Sequence, residues 1–304
     1  MINHERQLQQ AFALLKEGKD WQQGFNLFES REVQKLPFEL GVKTPLSRAP
    51  LWRPGMDVGG RHIVLLPEQG IGDTIMFARF IDLLKQLPIA SVSMSVSRNI
   101  APLLGSLGLT NVMHGECNVP AMKVKIMSLP TLLLQYNSFP HLSKPKKVHG
   151  SKGYFNVGDV EKTDKIGFCW YTENTSWNAV AKKIPIDLAK EFYDKLSKKR
   201  SVVSLQMQQD FMPRYLDSDS WLDTAKKVKA LDAIVTVDTA VAHLAGALGV
   251  RTINLIGEER YAGWFYYPVK SAKTPWYDSM ELIWYEPYTN WKAGLDEALK
   301  KLCR

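Results

Sequence analysis

Three segments of the chain combine residue types that can act on a ligand. In the first, Pro67-Glu68-Gln69-Gly70-Ile71-Gly72-Asp73-Thr74 follows the apolar run Ile63 to Leu66 and opens a helical pattern. Gly70 and Gly72 permit a tight turn and close backbone approach, and the amides of the first helical turn point out of such a loop. A dinucleotide fingerprint needs a third glycine where Ile75 stands, and a P-loop needs Gly-Lys-Ser/Thr, so neither nucleotide motif fits. What is left is Asp73 on a glycine-shaped turn, able to serve as general base for an acceptor hydroxyl or simply to cap the helix. Glu68, Gln69, Gly70 and Gly72 are then the residues expected on the acceptor side.

The second segment runs from Ala233 to Gly249. A buried-strand pattern ends in Asp238-Thr239, and a helix rich in small residues starts at Ala240. The unpaired amides and positive dipole end of such a helix form an anion site suited to a nucleotide diphosphate. His243 lies four residues after Thr239 and so on the same face; it reads as a ligand contact or as a satisfied core imidazole. In the third segment, Trp170-Tyr171-Thr172-Glu173-Asn174-Thr175 follows a strand end, and Lys182-Lys183 precede a helix with Pro185 at its start. Lys182 or Lys183 could neutralise a phosphate leaving group, with Trp170 and Thr172 beside them, or both lysines could be surface charges. Asp217-Ser218-Asp219 resembles a metal-binding D-x-D but sits in a polar stretch before Trp221, and reads as loop and capping chemistry.

The elements that must hold these segments alternate. Strands are predicted at Ile63 to Leu66, Val92 to Val96, Lys123 to Met127, Ile166 to Trp170, Val202 to Leu205, Ala233 to Val237 and Thr252 to Ile256. Helices are predicted at Thr74 to Leu87, Pro185 to Lys199, Thr224 to Leu231 and Ala240 to Leu248. Such β/α alternation in both halves predicts an α/β fold of two doubly wound, Rossmann-like parallel-sheet domains, with ligands at the carboxyl ends of the strands and a cleft between the domains. Before them, apolar positions Leu8, Phe12, Leu15, Trp21, Phe25 and Phe28 around Gly18 to Asp20 predict a helical hairpin, followed by a Pro- and Gly-marked linker. The expected division is 1–60 for hairpin and linker, 61–150 for the first Rossmann-like domain, and 151–304 for the second. The last helix is expected to return towards the first domain.

Composition narrows the function classes. At 304 residues with 45% hydrophobic and 23% charged residues, the chain is an ordinary globular protein of about two domains. No apolar run reaches the roughly 18 residues of a membrane span, and no signal-like segment opens it, so a cytoplasmic protein is expected, in a host cytoplasm if the source is viral. Cys117, Cys169 and Cys303 are too scattered for a disulfide framework or a zinc knuckle. The net charge of +8 is uneven: residues 1–150 hold 17 Lys and Arg against 11 Asp and Glu, while residues 151–304 hold 22 against 20. Lys123, Lys125, Lys144, Lys146 and Lys147 face a single acid, Glu116, between 101 and 150. That excess either solvates the surface or attracts a polyanion.

Together the segments resemble the family 9 glycosyltransferases of the heptosyltransferase type, and more closely the glycosyltransferase-like domains attached to tetratricopeptide repeats. The likeness spans roughly residues 60 to 290. It runs through Glu68 to Thr74 with Phe77-Ala78-Arg79, Gly167 to Trp170, Lys182 to Ile186, Ser204-Leu205-Gln206, Trp221 to Ala225, Val237 to Gly249 and Pro275-Trp276-Tyr277. No 34-residue repeat continues beyond the N-terminal hairpin, and Lys182 stands where the family usually has arginine. The resemblance implies a GT-B architecture, an acceptor-binding first domain and a second domain holding a nucleotide-sugar, with inversion at the anomeric carbon and no metal or other cofactor. It implies Asp73 as base and Asp238, Thr239, Ala240 and His243 as the diphosphate-binding motif. The donor expected is a UDP-sugar. The basic first half suggests a polyanionic acceptor, and the acceptor expected first is a hydroxymethylated base in viral DNA, with Lys144, Lys146 and Lys147 in contact; the alternative is a phosphorylated glycan of lipopolysaccharide core, or a protein. A non-catalytic nucleotide-sugar-binding module and a GT-B epimerase are the competing readings; with His243 the single histidine in a motif, the epimerase fits less well.

Overall fold

The computed structural model describes residues 4–18, 20–33, 49–111, 120–136, 147–172, 182–256, 271–284 and 291–303. The chain divides into two compact units, Met1–His149 and Gly150–Arg304.

The first unit opens with the hairpin of α1 (His4–Glu17) and α2 (Trp21–Phe28). Asp20 caps α2 by accepting the Gln23 amide at 2.9 Å, and the apolar faces bury Ala11, Leu15, Trp21, Phe25 and Phe28. Gly24 lets the helices close, since a Cβ there would lie 2.8 Å from Leu15 Cγ. A short 3₁₀ turn, Glu29–Val33, follows.

Then come β1 (His62–Leu66), α3 (Ile71–Ala78), α4 (Ile81–Leu84), β2 (Ser91–Met94), α5 (Ala101–Gly105), β3 (Thr110–Asn111), β4 (Ala121–Lys125) and α6 (Leu129–Leu134). The sheet is parallel throughout, in the order β3-β2-β1-β4, with Ile63, Val64 and Leu65 buried on the central strand. The single helix expected over 74 to 87 is broken at Arg79. A continuous helix would pass the Met76 carbonyl to the Phe80 amide; here Arg79 Nε takes that carbonyl at 2.9 Å and Phe80 bonds Phe77 instead. The strand expected to reach Met127 stops at Lys125, because Ile126–Ser128 form a 3₁₀ turn whose Met127 amide donates to Glu68.

The second unit contains β5 (Ile166–Cys169), α7 (Ile186–Ser197), β6 (Val202–Ser204), α8 (Trp221–Ala230), β7 (Ala233–Val237), α9 (Ala240–Ala247), β8 (Thr252–Ile256), β9 (Met280–Trp284) and α10 (Trp291–Leu302). Its five strands are parallel in the order β6-β5-β7-β8-β9. Gly167 on β5 admits Leu205 and Leu231, whose methyls would lie 2.6 and 2.7 Å from any Cβ added there. Ser220 caps α8 through the Asp223 amide at 3.3 Å, which starts that helix three residues before the expected Thr224. Helix α10 packs within this unit: Trp291, Leu295, Ala298 and Leu302 share a core with Phe192 and Leu196 of α7. Among the described residues no helix is long and apolar enough to cross a membrane.

One buried titratable group lies in the first sheet. His62 is held between Ser91 Oγ at 2.6 Å and Ser93 Oγ at 2.7 Å, and burial pushes its pKa down. The folded chain therefore resists a proton that the unfolded chain accepts at about pH 6.5, so stability is full above that pH and falls as the pH drops through it. Melting temperatures between pH 8 and 5 are expected to show this loss. His62→Gln should flatten the dependence across that window.

Candidate functional site

A doubly wound sheet binds its ligand outside the carboxyl ends of the strands where the order reverses. In the second unit that place is between β5 and β7, since β6 lies to one side of β5 and β7, β8 and β9 follow on the other. The two strands run in register, Cys169 beside Thr236, and their ends meet where Cys169 Sγ and Thr239 Oγ1 stand 3.9 Å apart. Thr239 is extended and its side chain makes no cap bond to α9; its hydroxyl lies 3.3 Å from Thr236 Oγ1. The opening amides of a helix have no intrahelical acceptor, so the start of α9 at Ala240 offers N–H groups and a partial positive charge at the strand ends.

The charged groups nearby are already engaged. Lys182 donates to Asp238 Oδ2 at 2.6 Å, and Asp238 is only 8% exposed. The ammonium expected to neutralise a leaving phosphate thus first neutralises a buried carboxylate. Lys183 lies over the rings of Trp170 at 5.8 Å and Tyr171 at 5.3 Å, a cation–π arrangement that holds it beside the end of β5. Trp170 is a wall and not a free platform: its indole donates to Asp210 Oδ2 at 3.0 Å and its amide to Gln206 Oε1 at 3.1 Å. Thr172 is half-buried next to it, while residues 173–175 of the same polar segment lie outside the described residues.

His243 is 5% exposed, and its Nδ1 is 3.0 Å from the hydroxyl of Tyr277. Tyr277 reaches it because residue 246 is glycine; a Cβ there would sit 2.4 Å from the tyrosine ring. The imidazole is therefore partnered within the core and fixed in orientation one turn below Thr239. Tyr277, Asp210 and Cys169 were not singled out by sequence reasoning as functional residues. Tyr277 and Cys169 belong to segments that carry the family likeness, and Gln206 does too, so that likeness was the available signal; none existed for Asp210.

In the first unit the order reverses between β1 and β4, and the loop after β1 carries the first motif. Asp73, half-buried in the first turn of α3, accepts the Gly70 amide at 3.0 Å, so it does cap the helix. This capping bond occupies an acceptor position on Oδ2. Gln69 and Gly70 are exposed, Gly72 is half-buried, and Gln69 has φ 53°, the one positive φ at a non-glycine among the described residues. Such backbone costs on the order of 1–3 kcal/mol and persists where neighbours impose it. Glu68 departs from the expected acceptor surface. It is 2% exposed and faces the interior, where Arg31 takes both its oxygens. Lys147 is exposed, and Lys144 and Lys146 lie outside the described residues.

Among the described residues no three His, Cys, Asp or Glu side chains are grouped to hold a metal ion. Asp217 of the D-x-D stretch accepts a 2.6 Å bond from Lys227, which holds its carboxyl below the usual range.

No protein-family model matches the chain, and no curated protein matches its sequence. Solved structures do match its fold. The E. coli heptosyltransferase WaaC bound to ADP-2-deoxy-2-fluoro heptose aligns with 79% of this chain and 99% of its own, at 11% identity and a TM-score of 0.52. The E. coli ADP-heptose lipopolysaccharide heptosyltransferase II aligns with 80% of this chain and 98% of its own, at 16% identity and a TM-score of 0.51. The chain has the GT-B α/β fold of these proteins.

The Lys182–Asp238 pair gives a direct test of the strand-end chemistry. Lys182→Met removes the ammonium from a carboxylate that is nearly buried, and urea unfolding is expected to show a loss of about 1–3 kcal/mol, less than for a fully enclosed pair because the lysine is partly exposed. Adding Asp238→Asn should recover most of it in a double-mutant cycle.

Proposed function

We propose that this protein is an inverting glycosyltransferase of the heptosyltransferase type, which transfers a sugar from a nucleotide-sugar to a hydroxyl of a phosphorylated glycan. The observation that carries the reading is that Asp73 and the start of α9 each stand at the carboxyl end of the strands where their own sheet reverses order. The acceptor oxygen attacks the anomeric carbon opposite the leaving group, the bond from that carbon to the phosphate oxygen breaks, and the acceptor proton passes to the Asp73 carboxylate. Charge then develops on the departing diphosphate, which the Thr239, Ala240 and Val241 amides are suited to stabilise. Lys183 is the more available cation for this, since Lys182 serves Asp238. His243, oriented by Tyr277, supports the first turns of α9.

The donor favoured is an ADP-linked heptose in place of the UDP-sugar expected from sequence, because the fold relative described above carries an ADP-heptose analogue. A core glycan fits the same comparison, whose second member is a lipopolysaccharide heptosyltransferase. The basic excess in residues 1–150 suits its phosphates. We place the protein in the cytoplasm, where such a soluble donor is available.

The test is transfer of labelled heptose from ADP-heptose to deacylated, phosphorylated core oligosaccharide or to hydroxymethylcytosine duplex DNA. Label is expected in the glycan with inverted anomeric configuration, and Asp73→Asn should lower turnover by about 10²–10⁴-fold with donor affinity kept. Label in the DNA would replace the glycan by the nucleic-acid acceptor. Donor binding without transfer to either would favour a non-catalytic module, and full turnover of Asp73→Asn would leave Asp73 as a cap alone.

A further inference from the structure

The crevice between the ends of β1 and β4, where a sheet of this order ordinarily takes a ligand, is filled by the protein's own N-terminal segment. Arg31, in the 3₁₀ turn after α2, is 3% exposed and uses all five of its N–H groups. Nε donates to Glu68 Oε1 at 3.1 Å and Nη2 to Glu68 Oε2 at 2.9 Å, a two-point fork on the carboxylate. The rest go to Ser128 Oγ at 2.7 Å, Glu29 Oε1 at 2.7 Å and the Phe28 carbonyl at 3.2 Å. Glu68 Oε2 also accepts the Met127 amide at 3.1 Å, just beyond β4. Ser128 and Thr131 bind the Glu29 carboxylate in turn. A buried carboxylate is tolerated when its oxygens are satisfied this fully.

Glu68 immediately precedes Gln69, whose left-handed backbone turns the loop so that the Gly70 amide grips Asp73. The strain at Gln69 must be imposed by what flanks it. On one side that is α3; on the other it is the clamped Glu68. We infer that Arg31 is a positioning residue for Asp73: its guanidinium fixes Glu68 between β1 and β4, and the fixed Glu68 sets the turn that aims the Asp73 carboxylate. The inference rests on the proposed role of Asp73 as base. It gives the N-terminal hairpin a purpose beyond stability, since the hairpin delivers the arginine. It also directs the acceptor to the exposed side of Gln69 and Gly70, because the crevice behind them is occupied.

Lysine has one charge centre and cannot reproduce the fork, so Arg31→Lys and Glu68→Gln are the informative variants, with Arg31→Ala as the full deletion. Hydrogen exchange of residues 67–74 in the full chain is expected to quicken roughly tenfold or more in each, the effect of losing a charge-assisted hydrogen bond, while β7 and β8 keep their protection. In heptose transfer from ADP-heptose to the core oligosaccharide, kcat should fall by about 10²-fold with KM for ADP-heptose unchanged, as for a misplaced catalytic group. A lower melting temperature with unaltered exchange at 67–74 would overturn the inference and leave Arg31 as a staple. Should Arg31→Ala fail to fold, Glu68→Gln, which keeps size and shape, decides by the same exchange measurement. Failure of the underlying reading looks different: Asp73→Asn would then transfer sugar at the full rate, whatever the loop does.

Discussion

Parallel strands deliver all their carboxyl ends to one edge of a sheet, and the helices that follow them start at that edge with unpaired amides. Both sheets of this chain are parallel throughout, and each reverses order once, next to its first strand. Those two facts concentrate helix N-termini, loop backbone and polar side chains at the ends of β1 and β4 in one unit and of β5 and β7 in the other. The backbone part of such a site, the helix N-termini and the loops, is set by the sheet itself. It depends on the buried Ile, Val and Leu runs that keep the strands in register, each such side chain contributing about 1.5–3 kcal/mol when fully buried.

At both edges the charged and polar side chains described above are tied to partners. Lys182 serves Asp238, Lys183 lies on Trp170 and Tyr171, His243 meets Tyr277, and Arg31 serves Glu68. Groups held this way lose little freedom on binding and keep their orientation, which is what a site that stabilises developing charge requires. The same economy explains the glycines. Gly246 is there for the tyrosine ring and Gly167 for two leucines, so both are packing requirements beneath the site and not parts of it.

Much of this was legible in the sequence, for physical reasons. Short apolar runs bounded by polar turns marked β1, β5, β7 and β8, and the Asp238-Thr239 step from strand to helix marked the start of α9. The order of motifs pointed to the GT-B fold. What the sequence hid were partnerships between distant polar residues. Nothing in Arg31 announces that it will meet Glu68 thirty-seven positions later, and without that knowledge Glu68 reads as a loop residue open to an acceptor. The break in the helix at Arg79 was hidden likewise, because it depends on a buried guanidinium taking the Met76 carbonyl. Strand β9 escaped notice because Glu281 interrupts its apolar run at an edge position.

The proposed function stands on the binding of a nucleotide diphosphate at the start of α9. Backbone amide shifts of isotopically labelled protein titrated with ADP report on that binding residue by residue. The largest changes are expected at Thr239, Ala240 and Val241, with smaller ones at Tyr171, Thr172 and Lys183, and little movement in β1 to β4. Changes confined to the first unit, or none at millimolar ADP, would contradict it.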